Sequence, residues 1–379
     1  MKHNWTYKKL GEVVKCYRGL TYSKADEVPV SSKMVLRSNN IDLDTHALNF
    51  DEIKCVREDL PIADDRKLKK DSIFICMSNG SMQHLGKVAY VDKDYDYAFG
   101  GFMGLIVPDP KEVFPKYVYY SLLAPNFLAT VLREGRGANI NNLRFTDLEN
   151  YSLPMPAKDE QKSIVQELDG INRLIDLQEE QLREYDRLAQ SLFYSTFGDP
   201  ATNPKGWEVK KLGEVAEQLF AGGDVPKNDL SQERDENHPY PIYSNGVVQE
   251  GLYGYTGSAR VSEPALTISA RGTIGVVFKR NEPFFPVVRL LVLVPKKEVL
   301  GMDYTMYCLR TFNIENNGVA IPQLTVPMLK QYAIPVPPLA LQQSFAAQIE
   351  AIEQQKALIR RSLDDTRTLL AARMQYYFE

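Results

Sequence analysis

A long stretch in the middle of the chain, residues 159–197, contains no proline and only one glycine. Its apolar side chains recur at alternating steps of four and three residues, which is the heptad spacing of a coiled-coil helix. A helix with such a seam has to be covered by a partner helix. We therefore predict one long helix here, and its seam positions are Ile164, Leu168, Ile171, Ile175, Gln178, Leu182, Tyr185, Ala189 and Leu192.

The partner helix is encoded in the same chain, 181 residues further on (345 − 164). The same steps produce a second seam there, which is weaker because three of its members are polar. Its positions are Phe345, Ile349, Ile352, Lys356, Ile359, Leu363, Thr366, Leu370 and Arg373. The chain is therefore predicted to form both halves of its own coiled coil.

The segments that lead into the two helices also repeat. The residues matched at the offset of 181 are Tyr151, Pro154, Pro156 and Gln161 in the first copy and Tyr332, Pro335, Pro337 and Gln342 in the second. Proline is excluded from a helix interior, so each pair marks where an extended segment ends and a helix begins. Further upstream, WTYKKLGEVV from Trp5 returns as WEVKKLGEVA from Trp207, at an offset of 202. The chain is a tandem duplication whose second globular repeat is 21 residues shorter (202 − 181).

Each globular repeat combines short apolar strands, polar turns and short helices, which predicts an α/β (α+β) domain with irregular loops. A pseudo-two-fold axis between the repeats would make the two long helices an intramolecular antiparallel coiled coil. We expect globular domains at 1–156 and 199–338, a central helix at 157–198 and a C-terminal helix at 339–379.

Local patterns predict the elements inside the repeats. In the first repeat, SIFICMS and KVAYV predict a strand pair around the polar connector NGSMQHLG, and residues 114–132 predict a helix interrupted at Pro125. In the second repeat, ALTISARGTIGVVFK predicts a strand, a turn and a strand. Within that turn, Ser269, Arg271, Gly272 and Thr273 are expected to take the places of Ser78, Asn79, Gly80 and Ser81.

Composition limits the class of protein. With 379 residues, 44% of them hydrophobic, the chain is long enough for two or three globular domains. It contains no run of eighteen apolar residues and no apolar signal core, so we expect a cytoplasmic protein without a membrane segment. The four cysteines and four histidines are dispersed, which favours reduced thiols and argues against a structural zinc.

The net charge of −4 does not indicate nucleic-acid binding. Residues 151–200 hold ten acidic against five basic side chains, so the negative excess lies on the first long helix. Any DNA contact would therefore depend on local basic loops of the globular repeats.

Neither repeat carries a catalytic or metal motif. The sequence has no GxxxxGK[ST], HExxH or GxSxG motif, no GxGxxG after a strand, and no Asn/Asp-Pro-Pro-aromatic tetrad of an amine methyltransferase. Two interpretations remain open beside DNA recognition. One is a non-catalytic tandem protein-interaction module organised by a coiled coil, and the other is an enzyme whose nuclease or methyltransferase site escapes these motifs.

Several motifs, in this order and present twice, resemble one known family. They are the WxxxKLGEV segments from Trp5 and Trp207, the ISARGTIG turn at Ile268, the helix starts LPMPAKDEQKSIV and IPVPPLALQQSFA, and FGDP after the first helix. Together they resemble the specificity subunit of Type I restriction-modification systems, over essentially the whole chain. The resemblance implies two target-recognition domains that bind double-stranded DNA, each recognising one half of an asymmetric bipartite target. It also implies that the two helices dock two modification (methyltransferase) subunits and then restriction subunits.

The resemblance further implies a non-catalytic subunit that binds no cofactor. S-adenosylmethionine would belong to the modification subunits and ATP to the restriction subunits. Base recognition would fall to polar side chains on loops, since Arg can grip guanine and Asn or Gln adenine with two hydrogen bonds. The candidate DNA-binding residues are Ser78, Asn79, Ser81, Gln83, Arg133, Arg136, Asn139, Asn141, Asn142, Arg144, Ser269, Arg271, Thr273, Asn316, Asn317 and Gln323.

Overall fold

The computed structural model describes residues 5–81, 83–134, 142–312 and 323–379. The chain divides into two compact units. Unit 1 comprises residues 1–177 and 362–379, and unit 2 comprises residues 178–361. Each unit therefore contains one globular repeat together with a part of each long helix.

Unit 1 contains short strands, short helices, the first part of one long helix and the last turns of the other. Its strands are β1 (Thr6–Lys9), β2 (Val14–Arg18), β3 (Glu27–Val28), β4 (Met34–Leu36), β5 (Lys54–Val56), β6 (Ser72–Cys76), β7 (Val88–Val91), β8 (Tyr97–Phe99), β9 (Met103–Pro108) and β10 (Ser152–Met155). Its helices are α1 (Pro115–Leu123), α2 (Phe127–Glu134), α3 (Phe145–Glu149) and the first part of α4 (Lys158–Phe197). The helix predicted over 114–132 is thus two helices, because Pro125 between them cannot continue α1.

Unit 2 repeats this order with fewer residues. Its strands are β11 (Glu208–Lys211), β12 (Ala216–Ala221), β13 (Tyr240–Tyr243), β14 (Leu252–Thr256), β15 (Ala265–Ile268), β16 (Val277–Arg280), β17 (Phe285–Pro286), β18 (Leu291–Pro295) and β19 (Ala333–Val336). Its helices are the second part of α4, α5 (Leu212–Val215), α6 (Met302–Thr311), α7 (Val326–Lys330) and the larger part of α8 (Leu339–Phe378).

A four-stranded antiparallel sheet forms the centre of each unit. Its strand order is β2-β9-β6-β7 in unit 1 and β12-β18-β15-β16 in unit 2. A smaller sheet accompanies each one, β3-β5-β4-β8 and β14-β13-β17, and each contains one parallel pair. The mixed α/β (α+β) fold predicted for both repeats is confirmed by these sheets and helices.

The first strand of each unit pairs with the strand that precedes the long helix. Thr6 lies opposite Met155 in β1 and β10, and Glu208 lies opposite Val336 in β11 and β19. These two registers preserve the sequence offsets of 202 and 181. The tandem duplication inferred from the sequence is therefore confirmed at the level of individual strand pairs.

The two long helices run antiparallel within each unit. In unit 2 the Nζ of Lys356 lies 2.6 Å from Oδ1 of Asp186, and the ring centroids of Phe193 and Phe345 are 5.8 Å apart. In unit 1 the hydroxyl of Tyr377 donates to Glu167 at 2.6 Å. Every predicted seam position on both helices is buried or half-buried.

The polar seam residue Lys356 is 6% exposed and also pairs with Oε1 of Glu353 at 2.7 Å. We expect Lys356→Leu to leave the free energy of unfolding unchanged or to raise it by about 1 kcal/mol at most, so that the thermal midpoint stays the same or rises. The reason is that the desolvation of a buried charge offsets its ion pairs, and Asp186 is 66% exposed in its side chain. Circular dichroism melting tests this expectation, with Lys356→Ala as the control that leaves a cavity and lowers the midpoint. A lower midpoint for Lys356→Leu would show that the ion pairs stabilise the helix pair.

Candidate nucleic-acid interface

A polar turn follows strand β6 in unit 1 and is held on three sides. The amide of Asn79 donates to Oγ of Ser38 at 2.9 Å, and its oxygen accepts from the backbone N–H of Ser81 at 2.9 Å. The backbone N–H of Ser78 donates to the carbonyl of Phe102 at 3.1 Å, and Ser78 forms an isolated β-bridge with Asn142. The backbone of Ser78 and the side chain of Asn79 are therefore held by neighbouring segments, and the turn forms a fixed platform.

This platform forms one side of an open groove of about 1080 Å³ in unit 1. Three of the predicted DNA-binding residues, Ser78, Asn79 and Asn142, line it. Basic side chains outnumber acidic ones in the lining, which contains Arg18, Lys24, Arg37 and Lys54 against Glu27 and Glu52. A groove with polar amides and a local positive excess is suited to a nucleic acid, although the whole chain is negative.

Sequence reasoning missed the basic and aromatic members of this groove. Arg18 ends strand β2 and Phe102 precedes strand β9, and these two strands are neighbours in the central sheet. Arg37 contributes a buried Nε that has no hydrogen-bond partner among the described residues. These residues are far apart in the sequence, and only the strand pairing brings them together.

Two other predicted residues of unit 1 have different surroundings. Gln83 is exposed just beyond the turn. Arg144 donates two hydrogen bonds to the carboxylate of Asp147 at the start of α3, from Nε at 2.9 Å and from a terminal nitrogen at 2.8 Å. Its guanidinium is thus engaged in a helix cap, and a base contact would have to compete with this ion pair. Arg133 lies in α2, whereas Arg136, Asn139 and Asn141 are outside the described residues.

The corresponding turn of unit 2 follows strand β15. In unit 1 the carbonyl of Met77 accepts from the N–H of Leu143 at 2.7 Å, and in unit 2 the carbonyl of Ala270 accepts from Leu324 at 2.9 Å. Leu143 and Leu324 are themselves 181 residues apart. Met77 and Ala270 are therefore equivalent positions in the two turns.

This equivalence, at an offset of 193 (270 − 77), corrects the alignment drawn from the sequence. Arg271, and not Ser269, takes the place of Ser78, because matching the glycines of the two turns puts the alignment one step out of register and matching Ser269 to Ser78 puts it two steps out. Ser269 is only 3% exposed, and its hydroxyl accepts from the N–H of Val276 at 2.9 Å and donates to the carbonyl of Thr273. Its side chain closes the turn from inside instead of facing solvent.

Among the described residues of unit 2, the other candidates, Arg271, Thr273 and Gln323, lie on the outer side of this turn. Arg271 and Thr273 are exposed, and a terminal nitrogen of Arg271 donates to Oε1 of Gln323 at 2.9 Å. Gln323 therefore supports the guanidinium from the side. Asn316 and Asn317 are outside the described residues.

Asn245, which sequence reasoning also missed, holds this turn to its neighbour. Its Oδ1 accepts from the N–H of Ala270 at 2.7 Å, and its Nδ2 donates to the carbonyl of Val288 at 2.6 Å. An asparagine side chain thus does in unit 2 what the carbonyl of Phe102 does in unit 1. The adjacent loop is supported by Arg280, which is 3% exposed and places a terminal nitrogen 2.9 Å from Oε2 of Glu250.

Two buried titratable side chains, Cys76 and Lys87, lie behind the turn of unit 1. Burial raises the pKa of the Cys76 thiol to about 11, and burial lowers the pKa of Lys87, whose Nζ donates to the carbonyl of Ile41 at 2.6 Å. Across the part of the chain that the structure describes, no three His, Cys, Asp or Glu side chains are grouped closely enough to hold a metal ion. None of the helices in the same residues has the length and apolarity needed to span a bilayer.

A family model for the Type I restriction modification DNA specificity domain matches the chain twice, at residues 2–185 and 204–365. The chain belongs to this specificity family. The two matches coincide with the two repeats, so each repeat is one copy of the family domain. The resemblance inferred from the paired motifs is thereby confirmed.

Relatives within the specificity family include proteins of Mycoplasma pneumoniae named as type I specificity subunits. One is 30% identical over 283 residues, covering 73% of this chain and 74% of that protein. Another is 38% identical over 163 residues, covering 42% of this chain and 48% of that protein. The EcoKI specificity subunit of Escherichia coli is 25% identical over 226 residues, which cover 58% of this chain and 47% of that subunit. The chain thus spans about half the length of the last two proteins.

Solved structures of two other proteins have the same fold as this chain. The crystal structure of the S subunit of a Type I restriction-modification system from M. genitalium matches with a TM-score of 0.58 at 16% identity, covering 99% of this chain and 96% of that one. A structure from a study of complex assembly and conformational transition of the type I system matches with a TM-score of 0.59 at 18% identity, covering 99% and 97%. At these identities the specificity family shares its fold with this chain while most side chains differ.

Proposed function

We propose that this chain recognises the DNA target of a Type I restriction-modification complex, and that the target is asymmetric and bipartite with one half-site per unit. One observation carries the proposal. The same hydrogen-bonded turn ends the same strand of the central sheet in both units, but it presents Ser78 and Asn79 in unit 1 and Arg271 and Thr273 in unit 2. Two equivalent scaffolds with different side chains suit two half-sites of different sequence.

The long helices support the second part of the proposal, which is that they dock two modification (methyltransferase) subunits and, through them, restriction subunits. Their outer faces carry leucines that are about half exposed or more: Leu174 at 46%, Leu177 at 57% and Leu188 at 52% on α4, and Leu358 at 63% and Leu369 at 49% on α8. Exposed leucines in such number on one pair of helices are typical of a surface that a partner protein covers.

We further propose that the chain is not itself an enzyme. S-adenosylmethionine would be bound by the modification subunits and ATP by the restriction subunits, while this chain supplies sequence recognition. The missing phosphate-binding and methyltransferase motifs support this division of labour.

The test is a genome-wide map of adenine methylation in cells that express the chain together with its modification subunit. We expect methylation at a split, asymmetric motif with a fixed spacer, and its loss when this chain is omitted. Replacing residues 207–330 by the same region of a related subunit should change one half of the motif and leave the other half and the spacer unchanged, since the two units have separate cores.

The reciprocal exchange of residues 5–150 is the matched control, and it should change only the other half. A motif in which both halves change after either exchange would contradict recognition by two independent units. Absence of any motif, with the modification subunit expressed and the complex assembled, would favour a protein-interaction module.

A further inference from the structure

We call the turns that follow β6 in unit 1 and β15 in unit 2 the recognition turns. In each unit, an equivalent position of the fold carries an exposed side chain beside this turn. In the central sheets, Gly104 of β9 lies opposite Ile75, and Leu291 of β18 lies opposite Ile268. Counting back two residues from these equivalent positions leads to Phe102 and Arg289. Neither residue was recognised from the sequence, because one precedes a strand in a glycine cluster and the other in an apolar run.

In unit 1 the ring of Phe102 is 73% exposed although its backbone is rigidly held. Its carbonyl accepts from the N–H groups of Met77 and Ser78, at 2.9 and 3.1 Å. Gly19 packs closely against the turn that precedes Phe102. A Cβ atom on Gly19 would lie 2.0 Å from the carbonyl oxygen of Gly100. The exposed ring is thus not a frayed surface side chain, and it lines the groove together with Ser78.

In unit 2 the equivalent position lies in a strained turn. Val288 has φ 53° and Arg289 has φ 64°, both in the left-handed region that a β-branched residue almost never adopts. Backbone strain of this kind persists only where the surrounding structure enforces it. Here the N–H of Val288 donates to the carbonyl of Gly223 at 2.8 Å, and its carbonyl accepts from Nδ2 of Asn245 at 2.6 Å.

The strained turn is coupled to the recognition turn through the same asparagine. Since Oδ1 of Asn245 also accepts from the N–H of Ala270, the backbone at Arg289 and the turn that carries Arg271 are held as one body. Arg289 is exposed, and no carboxylate among the described residues pairs with its guanidinium. Its guanidinium is therefore available to a ligand, and the backbone from which the side chain extends is fixed relative to the turn that carries Arg271.

We propose that Phe102 and Arg289 are equivalent specificity-determining residues, one in each unit. Arg289 binds the major-groove edge of a guanine in the half-site of unit 2 through its two-pronged guanidinium, and Phe102 makes an apolar contact with a base in the half-site of unit 1. The inference rests on the proposed function and deepens it. The different chemistry of the two side chains adds to the asymmetry of the target.

The test uses the full chain in complex with its modification subunit. The variants are Arg289→Ala, Arg289→Lys and Phe102→Ala, and the readouts are methylation maps and DNA affinities at two salt concentrations. For Arg289→Ala we expect discrimination at one guanine position of a single half-site to fall about tenfold or more, with the other half-site unchanged. Arg289→Lys should not restore that discrimination, because lysine keeps the charge without the planar fork.

For Phe102→Ala we expect the matching loss of affinity or discrimination in the half-site of unit 1 alone. Tyr7→Ala and Lys297→Ala are the matched controls, since they remove another exposed ring and another exposed cation from the same two units. Thermal melting verifies that all variants are folded. Any variant with a lowered midpoint is replaced by Phe102→Leu or Arg289→Gln, which keep more of the side-chain volume.

Three outcomes would overturn the inference. The first is that Phe102→Ala and Arg289→Ala both keep the methylated motif and the DNA affinity of the wild type. The second is a unit 2 half-site that contains no guanine. The third is full rescue of discrimination by Arg289→Lys, which would indicate a phosphate contact. A wild-type complex that methylates no split motif would instead contradict the proposed function itself. The two failures are therefore distinguishable.

Discussion

Replacement of Gln342 by leucine is expected to destabilise unit 2 by about 2–4 kcal/mol, because it leaves several buried polar groups without partners. Gln342 is fully buried near the start of α8. Its Oε1 accepts from the N–H of Gly301 at 2.7 Å, and its Nε2 donates to the carbonyls of Val299 and Pro337, at 3.0 and 2.8 Å. Leucine has a similar volume, so the loss would report hydrogen bonding more than packing.

The duplicated chain offers its own replicate of this experiment. Gln161 is 1% exposed at the start of α4, where its Oε1 accepts from the N–H of Phe114 at 2.8 Å and its Nε2 donates to the carbonyl of Pro156 at 2.9 Å. Gln161→Leu should therefore destabilise unit 1 in the same way, and somewhat less because two hydrogen bonds are lost instead of three.

Thermal unfolding followed by circular dichroism measures both effects, and we expect the midpoint to fall by about 5–10 °C for Gln342→Leu. The control is Gln343→Leu, which changes an exposed neighbour on the same helix. If Gln342→Leu melted within 1 °C or so of the wild type, the glutamine would not be anchoring α8 to the globular part of unit 2.

The second large effect is expected for Phe193→Ala, which should destabilise unit 2 by about 3–5 kcal/mol. The ring of Phe193 is fully buried, and its centroid lies 5.4 Å from Phe197, 5.9 Å from Tyr304 and 5.8 Å from Phe345. Removing it would leave a cavity where the two long helices meet α6, and rings at such distances also lose their mutual contacts.

Urea denaturation followed by tyrosine fluorescence measures this loss as a shift of the unfolding midpoint. Tyr194→Ala is the control, because the neighbouring ring is 41% exposed and should cost much less. Equal losses for the two variants would mean that the aromatic cluster does not hold the helices to the sheet.

Phe193 also shows how far the sequence could predict the helices. The stretch 159–197 and the observed α4 (Lys158–Phe197) differ by one residue, since proline and glycine determine both ends. The regular seam, however, predicted Leu192 near the end of the helix, where Phe193 is the fully buried residue and Leu192 is half-buried. An α-helix drifts against a heptad repeat, and its last turns pack against the globular repeat as well as the partner helix.

The candidate site was less predictable than the scaffold. The repeated motifs located the two turns, and Ser78, Asn79 and Asn142 line the groove, but their role in base recognition stays a prediction. The groove also depends on strand neighbours that lie far apart in the sequence, such as Arg18 and Phe102. Neither the burial of Ser269 nor the left-handed backbone at 288–289 has a signature in residue order.

The packing of the last turns of α8 has a consequence for synthesis on the ribosome. Met374 and Phe378 are 7% and 8% exposed and belong to the apolar core of unit 1, where the ring of Phe378 lies 5.2 Å from that of Tyr117. Unit 1, whose globular repeat is translated first, therefore cannot complete its core until residues 374–378 have been made. The core of unit 2 is complete once residues 345–352 have emerged, so translation order and folding order are opposed. A nascent unit 1 would expose apolar surface to chaperones until its last helical turns arrive.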